Sequence, residues 1–322
     1  MDSILFILLI FLTSCIDSNS KRHTKTNPVK KEIINEKPYQ WTKLLDSAEW
    51  RKNYNFQMFS DENGIYVLHP DGTWQSPDGK NWTMIQLSNP IHNHAFLDYV
   101  RFNNAILGLG NFKGNIESFT FKPEIYKTND MASWEIISKN SNLPKRFFYH
   151  PFEFKRKLWI IGGEDKNGTY DDIWNSADGI NWKKVKENLP FGKRSGSRVV
   201  LLNDKLYLLN NDVWISSDAL TWTKVTDEIV KGEEIFGYAA LAYDNHIWLL
   251  GCNRNENFSS EVLYSNDGKN WNAMSAPWLP RGGIAATVYQ DKIFMTGGKY
   301  GGTPNHPEFR YDNDVWMMSK GR

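Results

Sequence analysis

The sequence predicts an all-β chain in which one four-stranded unit is used six times, and three observations predict it. The first is a repeated phrase. It reads Trp74-Gln-Ser-Pro-Asp-Gly-Lys-Asn-Trp82, Trp174-Asn-Ser-Ala-Asp-Gly-Ile-Asn-Trp182, Trp214-Ile-Ser-Ser-Asp-Ala-Leu-Thr-Trp222 and Leu263-Tyr-Ser-Asn-Asp-Gly-Lys-Asn-Trp271, with a worn copy at Tyr126-Lys-Thr-Asn-Asp-Met-Ala-Ser-Trp134. The second is a short apolar run ahead of each copy, preceded in turn by a polar pair such as Asn103-Asn104, Asn203-Asp204 or Asp244-Asn245. Asn and Asp suit tight turns because their side chains bond nearby backbone. The third is a complementarity between the two ends of the chain. The last unit has its runs at 293–296 and 315–318 but no closing strand, and Trp41-Thr-Lys-Leu44 matches Trp222-Thr-Lys-Val225.

Each unit then reads in order as strand a, polar turn, strand b, loop, strand c, Ser/Thr-x-Asp turn, strand d. Four-stranded antiparallel units repeated at 40–50 residues form a β-propeller. The count is six blades, with Trp41-Thr-Lys-Leu44 completing the last and closing the ring, which removes two exposed sheet edges. Ten of the fourteen tryptophans fall on two repeat positions, d-strand Trp41, Trp82, Trp134, Trp182, Trp222 and Trp271 and c-strand Trp74, Trp174, Trp214 and Trp316. This placement assigns them to packing between blades. In the c–d turn, Met131 and Ala219 stand where other copies have Gly79, Gly179 and Gly268. A bulky residue rarely adopts positive φ, so the expectation is a type I turn at negative φ, capped by its Asp.

Leu158-Trp-Ile-Ile-Gly-Gly163 followed by Trp174 and Trp182, and Ile293-Phe-Met-Thr-Gly-Gly298 followed by Trp316, resemble kelch repeats of the galactose-oxidase-like propellers. The Ser-x-Asp-Gly-x-x-Trp turn resembles the Asp-box of sialidase-type propellers, one residue shorter. The kelch pattern departs at Gly108-Leu-Gly110, Asn210-Asn211 and Gly251-Cys252. The resemblance is specific for fold and weak for activity, since such propellers host binders, scaffolds and enzymes.

One propeller accounts for nearly all of the 322 residues, so residues 39–322 are expected to form a single domain. The net charge is +1, of which +2 lies in residues 1–38. The near-neutral remainder lacks the basic footprint of a nucleic-acid binder. Residues 4–12 form an apolar run too short to span a bilayer and fit the core of a secretory signal over residues 1–14. The run ends in Leu12-Thr-Ser-Cys15, which resembles the lipobox of bacterial lipoproteins, although Met1-Asp-Ser3 lacks the usual basic residue. The resemblance implies cleavage before Cys15, lipidation of its thiol, and anchoring in a bacterial cell envelope on the periplasmic or outer-surface side. Residues 15–38, rich in Lys, Asn, Ser, Thr and Pro, read as a flexible tether. Cys252 is the one other cysteine, so no disulfide is expected within the chain.

The kelch resemblance implies that the d-to-a and b-to-c loops share one face, where ligands bind over the channel. Eleven residues before each b strand stand Asn53, His94, Arg146, Arg194, Ile235 and Arg281. Four further in stand Gln57, Asp98, His150, Arg198, Ala239 and Ala285. Arg146, Arg194, Arg198, Arg281, His94 and His150, with Tyr149 beside them, are therefore the candidates for an anion site. Guanidinium forks suit carboxylates and phosphates. The alternative is that the arginines tie neighbouring loops together. His92 and His94 alternate across a strand edge, which argues against a shared metal. No cofactor or metal is expected.

Two functions follow. One is a surface-tethered binding module for an anionic glycan, a peptide or a partner protein. The other is a carbohydrate-active enzyme on an acidic sugar, similar to sialidases or the kelch-type sialic acid epimerases (mutarotases). That reading needs an acid in the channel opposite the arginines, and only Asp98 and Glu153 stand on a strands. The Arg-Ile-Pro motif of sialidases is absent. Cys252 is the sole echo of the thioether-linked cysteine of copper oxidases on this fold. The sequence favours binding.

Overall fold

The computed structural model describes residues 39–54, 56–87, 98–114 and 119–321. The calls on Cys15, on the signal and tether segments and on His94 lie outside these residues. The fold is all-β, with no helix among the described residues, and its sheets are the four-stranded antiparallel units of a β-propeller.

Among the described residues there are six such sheets. The first contains Gln57–Asp61, Gly64–His69, Gly72–Ser76 and Thr83–Gln86, and the second runs from Asp98–Phe102 to Glu135–Ser138. The third runs from Phe152–Phe154 to Trp182–Lys186, the fourth from Arg198–Leu202 to Thr223–Thr226, and the fifth from Ala239–Tyr243 to Asn272–Ser275. The sixth is ordered differently from the others. Ala285–Tyr289, Lys292–Thr296 and Val315–Lys320 are completed by Tyr39–Leu45, with Trp41 opposite Met318 and Thr42 opposite Met317.

The first strands of neighbouring sheets lie beside one another. Ala285–Tyr289 is flanked by Gln57–Asp61 on one side and Ala239–Tyr243 on the other. Hydrophobic clusters fill the spaces between successive sheets. Trp159, Ile161, Leu206 and Trp222 pack between the third and fourth, and Leu107, Leu109, Leu158 and Trp182 between the second and third. Trp50, Phe56, Ile65, Phe294 and Val315 pack between the sixth and the first. Burying each of these large side chains contributes about 1.5–3 kcal/mol, so the inter-sheet seams are the core.

Local chemistry explains the repeat. Five of the six a–b turns put both central residues at positive φ, as at Asn203 (51°) and Asp204 (59°), which are the mirror-image turns that match strand twist; the turn of the first sheet has Gly64 at 141° instead. In the c–d turn of the first sheet, Ser76 Oγ accepts the Gly79 N–H at 2.8 Å. The Asp78 carboxylate accepts the N–H groups of Lys80 and Asn81 at 2.8 and 2.9 Å. Trp82 Nε1 donates to the Gly79 carbonyl at 3.0 Å. Asp178, Asp218 and Asp267 repeat the arrangement. Partial burial pushes these carboxyls up, but the backbone donors outweigh it and hold each at about 2.

The φ expectation for this turn is overturned. Met131 and Ala219 sit at +62° and +64°, in the same left-handed conformation as Gly79, Gly179 and Gly268. The conformation costs about 1–2 kcal/mol for a residue with a Cβ. Burial of the two side chains offsets it, since Ala219 is fully enclosed and Met131 packs with Tyr66, Leu68 and Ile106. Where glycine remains, the neighbouring sheet leaves no room. A Cβ on Gly179 would lie 2.5 Å from Leu107 Cδ1. Gly179→Ala is expected to lower unfolding free energy by about 2–4 kcal/mol, combining backbone strain with overpacking. Ala219→Gly is expected to change it by no more than about 1 kcal/mol. Denaturant titration of both variants checks this, and equal stability of Gly179→Ala and wild type would refute the account.

Four of the b-to-c connections, read from sequence as loops, carry strand pairing. In the second sheet the b and c strands themselves extend, as Ala105–Gly114 and Phe119–Thr128. In the third and sixth units a two-stranded ribbon forms, such as Lys299–Tyr300 with Arg310–Tyr311, and in the fifth Ile235–Phe236 joins Cys252–Arg254 and Asn257–Ser259 in a three-stranded sheet.

Candidate functional site

Three of the predicted arginines stand on the loops that precede the innermost strands, and their contacts set them apart from the rest. Arg146 is buried and forms a two-pronged pair with Asp172, at 2.6 and 3.2 Å. It also donates to the Gly162 carbonyl at 3.0 Å and lies 3.8 Å from the Tyr170 ring centre. Arg194 pairs with Asp212 at 3.0 and 3.3 Å, donates to the Phe191 carbonyl and covers the Phe191 ring. Arg281 is 1% exposed. It grips Asp314 with both terminal nitrogens and donates to the carbonyls of Leu279 at 3.0 Å and Gly297 at 3.3 Å. Burial would raise the Asp314 carboxyl, yet Arg281 holds it below its ordinary value.

These three arginines therefore tie loops together, the alternative that the sequence left open. The same three carboxylates each accept a second bond, from the indole of Trp174, Trp214 or Trp316, at 2.8, 2.6 and 2.8 Å. Arg, Asp and Trp thus form one brace, used in the third, fourth and sixth units. Sequence reading did not connect these Asp residues with the arginines. The signal it missed is that Asp stands two residues before the c-strand Trp in the units that have Arg at the rim. Gly72, Glu124 and Glu261 stand there in the others. In the fifth unit, where Ile235 replaces the arginine, Arg254 makes equivalent ties to Glu233 and Glu261.

Tyr149 is also removed from the rim. It is 2% exposed and buried in the cluster with Leu143, Leu158 and Trp182. Glu153 is exposed on its strand, and the Cys252 thiol is buried, which pushes it up to about 12. Asp98 begins the inner strand of the second sheet.

Arg198 and His150 are different. Arg198 opens the inner strand of the fourth sheet and is half-buried. It has no carboxylate within ion-pair distance among the described residues. Its one hydrogen bond is a long contact of 3.4 Å to the carbonyl of Ser197. His150 stands at the equivalent position of the third unit. Its surroundings, and then the charge of Arg198, hold its imidazole down at about 3. Tyr238 is buried near the same guanidinium and donates to the Asn210 carbonyl at 2.9 Å, and burial raises its phenol. The group is thus one unpaired guanidinium beside a neutral imidazole and a neutral phenol. Such a set can hold an anion by charge-assisted hydrogen bonds. A shallow, open polar depression lies between the loops of the third and fourth units, lined in part by Lys193, Arg194, Ser195, Asn210 and Asp212, and Arg198, His150 and Tyr238 do not line it.

Comparison with known proteins bears on the fold. A family profile described as the DUF6242 beta propeller domain matches residues 130–320. Among solved structures, one titled "Structure of YjhT" superposes with a TM-score of 0.69 at 13% identity, covering 86% of this chain and 97% of that one. At that identity the likeness concerns the fold. A search of curated proteins finds no match.

Proposed function

Taking as premise that the chain belongs to the DUF6242 beta propeller domain family, we propose that it is an envelope-tethered binding module that takes an anionic group at the mouth of its central channel. In this reading the six sheets are six kelch-like blades, and the strand Tyr39–Leu45 closes their ring through its pairing with Val315–Lys320. Lipidation at Cys15 holds the propeller at a bacterial membrane, with residues 15–38 as the tether. The ligand is a glycan, peptide or partner protein that carries a carboxylate or phosphate.

The observation that carries this reading is the contrast between the arginines. Arg146, Arg194 and Arg281 have carboxylates and carbonyls as partners, while Arg198 has none of the former among the described residues. A half-buried guanidinium without a counter-charge gains from an anion, because hydrogen bonds to charged groups contribute about 1.5–3 kcal/mol. The neutral His150 and Tyr238 suit holding rather than proton transfer, which supports binding over catalysis on an acidic sugar. Arg198→Ala is expected to weaken binding of anionic ligands roughly ten- to a hundredfold and leave the melting temperature within a degree or two. A screen of acidic metabolites and glycans by thermal shift, followed by calorimetry on the variant, reads this out. Unchanged affinity in Arg198→Ala would overturn the assignment.

A further inference from the structure

A second cluster lies on the loops of the first and sixth units. The rings of Tyr54 and Tyr311 are nearly parallel, with an interplanar angle of 24° and centres 5.7 Å apart. Phe309 continues the set, at 10° and 6.0 Å from Tyr311. The pairing of Lys299 with Tyr311 across the two-stranded ribbon places the Lys299 ammonium 5.1 Å from the Tyr54 ring centre and 5.3 Å from that of Phe309.

Two features set this cluster apart from the braces. Every arginine that covers a ring on the loops has a carboxylate as well: Arg146 has Asp172, Arg194 has Asp212, and Arg310, over Tyr300, has Asp312. The Lys299 ammonium has no ion pair or hydrogen bond among the described residues, and it is not sealed from solvent. Partial burial also lowers its pKa, so the charge lacks full hydration. The second feature is the ring itself. Phe309 is 58% exposed. It is seated over Gly302, where a Cβ would come within 2.4 Å of its Cε1. The rings under the braces are buried, as Phe191 is, or half-buried, as Tyr170 and Tyr300 are, whereas this ring is held in place and left open.

We propose that this cluster is a subsite for an acidic sugar, with the apolar C–H face of a pyranose on Phe309 and its carboxylate paired with Lys299. The inference rests on the reading of the loop face as an anion-binding surface. A flat, exposed aromatic face suits the flat C–H face of a sugar ring, and an ammonium beside it selects the carboxylate-bearing sugar over a neutral one. A bare phosphate or carboxylate would use the charge and leave the ring unused.

The test is calorimetry on the full chain with trigalacturonic acid, galacturonic acid and neutral maltotriose, using wild type and the variants Lys299→Met, Phe309→Ala and Arg198→Met. Trigalacturonic acid is expected to bind at least tenfold more tightly than maltotriose. Lys299→Met and Phe309→Ala are each expected to weaken it about tenfold with the melting temperature unchanged. Galacturonic acid binding as tightly as the trimer would identify a free sugar as the ligand, and tighter binding of the trimer would identify a chain. Either supports the subsite. If Arg198→Met abolishes binding while Lys299→Met and Phe309→Ala do not affect it, the subsite is wrong and the channel reading stands. If only Lys299→Met and Phe309→Ala weaken binding, the subsite stands and the channel reading falls. Lack of binding by either acid at millimolar concentration, equal binding of maltotriose, or a lowered melting temperature with unchanged affinity would each overturn the proposal.

Discussion

A fragment beginning at residue 46 should aggregate and lose cooperative unfolding, whereas one beginning at residue 39 should unfold as a single unit. The seven residues between them are the outer strand of the sixth sheet. Tyr39, Gln40, Trp41, Thr42, Lys43 and Leu45 each face a partner in Val315–Lys320. Removing them strips a row of backbone bonds and leaves Val315–Lys320 as an open edge, a template for pairing with another chain. It also takes away side-chain anchors. Trp41 packs edge-on to Trp278 at 5.9 Å and Tyr39 to Trp248 at 4.7 Å. Leu44 and Leu45 border the cluster between the sixth and first sheets. A domain is stable by only about 5–15 kcal/mol, and losses on this scale consume most of it. Thermal unfolding and size-exclusion chromatography of the 39–322 and 46–322 fragments decide the matter, and equal stability of the two would refute the role given to this strand.

Arg281→Ala should be the most destabilising of the single arginine substitutions, by about 3–5 kcal/mol, the cost of leaving a buried charge without its partner. The substitution leaves the Asp314 carboxylate facing no guanidinium. It also leaves the Leu279 and Gly297 carbonyls without donors. Arg194→Ala should cost less, because Asp212 is more accessible to water than Arg281 and its contacts. Asp314→Ala combined with Arg281→Ala should recover part of the loss, since removing both charges leaves no orphan. Lysine is a poor substitute because it cannot reproduce the fork. Chemical denaturation of the three variants supplies the measurement. A mild effect for Arg281→Ala, equal to that of an exposed arginine, would show that the brace contributes little.

Much of the fold was legible because its chemistry is local and repeated. The Ser-x-Asp turn, its Trp and the polar a–b pair each satisfy their backbone within a few residues, so spacing alone placed them. The positive φ of Met131 and Ala219 was not legible. It depends on whether the next sheet leaves room for a Cβ, as it does there and does not at Gly179. The rim shows the same division. Repeat alignment put Arg146, Arg194 and Arg281 at one position, as the structure does. What decides their role is a carboxylate 18 to 33 residues away. Alignment also put Arg198 at a different repeat position, but its lack of such a partner is a property of three dimensions. The Lys299 cluster escaped for a related reason, since Tyr54 and Tyr311 meet from opposite ends of the chain.

The sheet shared by Tyr39–Leu45 and Val315–Lys320 also dictates an order of events at birth. During synthesis the first of these strands emerges early, and the second emerges only after all five intervening sheets. Until then residues 39–45 have no partner, and the nascent chain carries an unsatisfied strand at its leading end. Bringing such distant segments together also carries the entropy of closing a very long loop, which places this pairing late and makes folding slow. A chain interrupted anywhere before residue 315 therefore fails at its N-terminal strand as well as at its break, and premature stops near the C-terminus should be as damaging as those in the middle.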